Sequence, residues 1–185
     1  MTYRVLMRQL IPGFMGIAFL ACSPTHTDTS SSVDQAKAVI PLYATRVVRT
    51  FSDTARQDTL SVCVNGESIL TGRPNLRIVD YQGKLLYAST FPTQALLDRE
   101  GIIKPEEDEQ VIKNRIDNFF EPEHFAVLSQ ANDSMKMAWK GVPVDPAAVC
   151  FSFPVSKNSL RQVAYSKSRQ KVVQVTSALP NNKRP

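Results

Sequence analysis

Histidine is scarce in this sequence of 185 residues: there are two, and only His124 lies in the part that reads as folded. A zinc site draws on several His and Cys ligands, and general-base catalysis leans most often on His, so no metal and no cofactor is expected. Glycine is equally sparse, at seven, and the sequence contains no phosphate-cradling glycine-rich loop, no G-x-S-x-G elbow and no H-E-x-x-H. Apolar runs are short, and none reaches the roughly 20 residues that a permanent membrane-spanning helix needs. Carboxylates stop at Asp145, while residues 151–185 carry seven basic groups.

The longest apolar stretch, Leu10 to Ala21, follows Arg4 and Arg8 and ends in a small residue. Positive start, apolar middle and small-residue end are the three parts of an export signal, expected over residues 1–21. The step Phe19-Leu20-Ala21-Cys22 is similar to the lipobox of bacterial lipoproteins, departing from the usual pattern at Phe19, where Leu is preferred. That resemblance implies that Cys22 becomes the mature N-terminus and carries a diacylglycerol and fatty acyl (palmitate-type) anchor. Residues 23–32 hold seven Ser or Thr and nothing apolar. A linker over residues 22–36 follows, which as a random coil would hold a domain about 20 Å from its lipid.

Three cysteines minus Cys22 leave Cys63 and Cys150. Two readings stand: a disulfide, which an even count in an oxidising compartment favours, and two separately buried thiols.

The remainder, about 37–179, is long enough for one domain with its own core, followed by a disordered tail over 180–185. Val39 to Tyr43 and Thr45 to Phe51, interrupted by Pro41 as suits a sheet edge or entry, Leu60 to Val64, Leu76 to Ile78 and Lys84 to Phe91 read as strands, with turns at Asn65-Gly66 and Asp80 to Gly83. Pro105, four following carboxylates, and Val111, Ile112, Ile116, Phe119 and Phe120 at helical spacing predict a helix over about 105–120. A short helix is expected from Pro92 to Arg99. The acidic run Glu106 to Glu109 lacks the alternation and central Gly of a calcium loop and suits a helix N-terminus, with Glu109 and Lys113 as an i, i+4 pair. Period two returns in Phe125 to Leu128, in Met135, Met137 and Trp139, in Ala147 to Val155, and in Leu160 to Tyr165 and Lys171 to Thr176 around a closing turn. The fold expected is α+β, a mostly antiparallel sheet covered by one main helix.

The sequence Leu76 to Tyr87 followed by Thr90-Phe91, taken with the lipobox and linker, is similar to small uncharacterised lipoproteins of Bacteroidota. The resemblance implies location and a β-rich domain, and no catalytic residue comes with it. His124, beside Glu121 and Glu123, suits the negative end of a helix dipole better than a catalytic base. The function expected is a non-catalytic binding or scaffolding domain tethered in the cell envelope, with the outer membrane favoured by Ser23 after the cysteine. A small-ligand carrier and an enzyme acting on envelope polymers are the alternatives. The partners expected are the membrane through its lipid and an envelope protein or anionic envelope component, with no nucleic acid. Lys167, Arg169 and Lys171 around the closing turn are the expected contacts to an anionic surface.

Overall fold

The computed structural model describes residues 40–97 and 102–178, which belong to a compact unit beginning at Ala38. The expected signal, Cys22, the linker, the C-terminal end of the 92–99 helix and the 180–185 tail lie outside the described residues. The fold is α+β, as the alternation of strand runs with one main helix implies, but the strands form two sheets rather than one.

Strands β1 (Tyr43–Arg49), β2 (Asp58–Asn65), β3 (Arg73–Val79) and β4 (Leu85–Thr90) form the first sheet, each antiparallel to the next. Helix α1 (Pro105–Asp117) follows, then β5 (Phe125–Val127), the six-residue helix α2 (Asp133–Ala138), and β6 (Val149–Ser156), β7 (Ser159–Ser166) and β8 (Lys171–Ala178). The second sheet is again a meander in chain order, β5-β6-β7-β8. Short connections favour this plan, because an antiparallel neighbour can be reached through a tight turn whereas a parallel one needs a long crossover. Gly66, at φ 138°, turns β2 towards β3 in a conformation closed to other residues.

Alternation sets the core. Leu60, Val62 and Val64 of β2, and Leu76 and Ile78 of β3, are fully buried on one face, and Phe151, Phe153 and Val163 meet them from the second sheet. Ile112 and Ile116 of α1 complete the layer. Phe119 ties the parts together: its ring stacks on Phe91 at 5.9 Å and lies 5.7 Å from Phe151 and 5.2 Å from Phe120. Helix α1 stops at Asp117, three residues earlier than its apolar spacing suggests, and the tighter turn at 118–120 turns Phe119 and Phe120 into this cluster.

Two local expectations are corrected. Met135 to Lys140 does not form a strand: Asn132 Oδ1 accepts the Met135 N–H at 2.9 Å and caps α2. Met, Lys and Ala are good helix formers with no β-branching, so a six-residue alternation was too short to outweigh the cap. The helix expected from Pro92 is a single 3₁₀ turn, Thr93–Leu96, anchored by the Thr93 hydroxyl donating to the carbonyl oxygens of Leu70 (3.0 Å) and Gly72 (3.1 Å).

Of the two readings left open for Cys63 and Cys150, the disulfide is not formed and both thiols are free. Cys63 lies on the face of β2 opposite the core. Cys150 lies on the outer face of β6, packed with Leu128, Trp139, Ala164 and Val173. The two thiols point away from the shared core on two different sheets, so alternation itself keeps them apart.

Candidate functional site

The groups able to do chemistry are mostly engaged in holding the chain. Asp58 is fully buried at the start of β2, where Oδ2 accepts the N–H groups of Phe51 (3.2 Å) and Ser52 (2.6 Å) and Oδ1 accepts the Ser52 hydroxyl (3.0 Å). Asp108, the third of the acidic run, is likewise buried and accepts the N–H groups of Ile103 (2.9 Å) and Lys104 (3.2 Å). It therefore fixes the start of α1, while Glu107 and Glu109 pair with Lys104 at 2.8 Å and Lys113 at 2.7 Å on the helix surface. Among the described residues no group of three His, Cys, Asp or Glu side chains is placed to hold a metal.

His124 closes the 3₁₀ turn Pro122–His124, with Nδ1 3.0 Å from the Phe119 carbonyl oxygen. Beside it, a hydrogen bond shared with Glu123 raises Glu121 above the ordinary carboxylate range. Glu123 is lowered, first by a backbone hydrogen bond and then by the bond from Glu121. The two carboxyls thus share one proton more readily than isolated ones would. Glu123 is exposed, without the desolvation that turns such a pair into an efficient acid and base.

Cys150 is of the inert kind. Burial pushes its thiol up to about 12, against smaller opposing effects from Ser152, Trp139 and the Val163 backbone. It belongs to a second apolar cluster on the outer face of the second sheet, covered by the 128–148 segment. There the Trp139 indole N–H donates to Gln162 Oε1 at 2.9 Å. An open depression of about 260 Å³ lined by Leu128, Trp139, Val142 and Val144 borders this cover.

The cations remain. Lys167, Arg169 and Lys171 are brought together and exposed at the β7–β8 turn, as their spacing predicts. Asp145 lies 3.9 Å from Lys167 and offsets part of their charge. A second set escaped the sequence reading: Arg46 on β1 and Arg73 and Arg77 on β3, exposed on the outer face of the first sheet. They are 27 and 31 residues apart along the chain from Arg46, and only the strand register makes them neighbours. The signal available was their period-two position opposite Val47, Leu76 and Ile78.

The chain matches no protein-family model, no curated protein and no solved structure.

Proposed function

We propose that this protein is a lipid-anchored constituent of a bacterial cell envelope whose domain binds an anionic envelope component and performs no catalysis. The observation that carries the reading is the division of labour among polar groups. Asp58, Asp108 and Thr93 are buried in structural bonds, whereas the exposed cations are gathered at the β7–β8 turn and across the first sheet. Catalysis needs convergent groups in a water-excluding cleft, and binding to a charged surface needs only exposed charge on a rigid support. The lipobox-like step at Cys22 supplies the anchor in this reading, and the outer membrane is the location it favours.

The test is metabolic labelling with a lipid analogue. Wild-type protein is expected to take up label and partition with membranes, and Cys22→Ala to lose both. Because one acyl chain binds only marginally while two or three anchor stably, the loss should be nearly complete. Unlabelled wild-type protein would overturn the anchor.

A further inference from the structure

The two sheets differ in what lies on their outer faces. The second is covered by α2, Trp139 and the loop to β6, which bury Cys150, Ala164 and Val173. Over the first sheet no described element packs, and the register gives its outer face row by row. Arg46, Ser61, Arg77 and Ala88 form one row across the four strands; Ala44, Cys63, Asn75 and Thr90 form the next. Val48, Thr59, Val79 and Leu85 form a third, and Asn65 and Arg73 a fourth. None of these residues is acidic, and among the described residues none of the three arginines is paired with a carboxylate. Neighbouring strands are about 4.8 Å apart, so Arg46 and Arg77 rise from the sheet about 10 Å from one another. Small side chains lie between them.

We infer that this face is a docking surface for an anionic phospholipid bilayer, so that the anchored domain lies with its first sheet against the membrane. The inference rests on the proposed lipid anchor for its setting and on the face itself for its argument. The charge is of one sign. The face is four strands broad, and among the described residues of its rows there is no aromatic ring on which a sugar could stack. Its margins carry exposed aliphatic side chains, Val48 at 52% and Leu85 at 47%, suited to the apolar depth below headgroups. Its edge strand β1 is also the strand into which the N-terminal segment leads. The β7–β8 turn belongs to the other sheet and is not part of this face.

Each arginine near an anionic surface multiplies binding about fivefold, so three together favour the docked state on the order of a hundredfold over a neutral membrane. That preference fades with salt as the Debye length falls. Cys63, half-buried in the middle of the face, is a built-in reporter, and the buried Cys150 is its silent control.

The experiment incorporates the protein, as cells process it, into vesicles of phosphatidylcholine alone or mixed with phosphatidylglycerol, and follows modification of Cys63 by a membrane-impermeant maleimide. Modification is expected to be at least tenfold slower in the anionic vesicles, to recover in high salt, and to recover with Arg46→Gln, Arg73→Gln and Arg77→Gln combined. A Ser168→Cys probe in the β7–β8 turn should react equally in both. Equal modification of Cys63 in both vesicles would overturn the inference. Protection that persists in detergent would do the same by pointing to the chain's own segments as the cover, and protection that grows with protein density would point to a second copy. Flotation with the vesicles reports the anchor separately; if flotation fails, protection of Cys63 by added anionic vesicles still decides the face.

Discussion

Cys150 shows how a single atom's surroundings set both reactivity and stability. Its thiol is held near 12 against an ordinary value of 9.0, so the folded protein keeps the proton through a range in which the unfolded chain gives it up. The folded pKa being raised, the associated stability is fully present below pH 9 and is lost as pH rises towards 12, at up to about 1.4 kcal/mol per pH unit. Chemical denaturation of wild type and Cys150→Ala should therefore give a stability gap that narrows across that window. At neutral pH a thiol reagent is expected to modify Cys63 in the native protein and to reach Cys150 only after unfolding, which mass analysis of the modified peptides checks. Tyr43 is shifted the same way by its hydrogen bond to Asp117, at 2.8 Å, and lies at the surface.

Among the elements, α2 bears the most on how the sheets differ, because it helps to cover the second one. Its six residues cannot sustain a helix alone, and the Asn132 cap and the Trp139 contact fix it in place. Asn132→Ala should cost about 1 kcal/mol. Trp139→Phe, which leaves Gln162 Oε1 without its donor in a buried setting, should cost about 1–3 kcal/mol. Both are measured by urea denaturation. This element also marks the boundary of what sequence could say. The strands of both sheets, the start of α1 and the exposed closing turn were legible because periodicity and turn chemistry are local signals. The division into two sheets was not, since antiparallel meanders read alike whether they join or stack. The Arg46, Arg73 and Arg77 face was not either, because its members become neighbours only through register, and the separation of Cys63 from Cys150 required knowing which face of each sheet the core occupies.

At the scale of the whole molecule, one aromatic cluster joins what the backbone leaves apart. Phe91 follows the first sheet, Phe151 and Phe153 belong to the second, and Phe119 touches all three. Phe119→Ala should cost about 3–5 kcal/mol, a large part of the stability of a domain this size, and is expected to lower the thermal midpoint sharply or unfold the protein. Phe119→Leu keeps more of the volume and should retain a cooperative transition. The neighbouring edge strands β4 and β8 are bridged by side chains, Tyr87 Oη to Gln174 Oε1 at 2.8 Å, with Arg161 of β7 reaching Ser89 at 2.7 Å.

The chain-order topology of both sheets has a kinetic meaning. Every main-chain ladder joins strands consecutive along the chain, and only the connection from β5 to β6, which carries α2, is long, so little loop-closure entropy opposes the other pairings. The demanding event is the meeting of the two halves through the phenylalanines, whose partners lie up to 62 residues apart, from Phe91 to Phe153. Stopped-flow refolding should show hairpin formation preceding burial of this cluster, with Phe119→Leu raising the unfolding rate far more than it lowers the folding rate. A chain built this way can begin to pair the strands of its N-terminal half while the rest is still being synthesised.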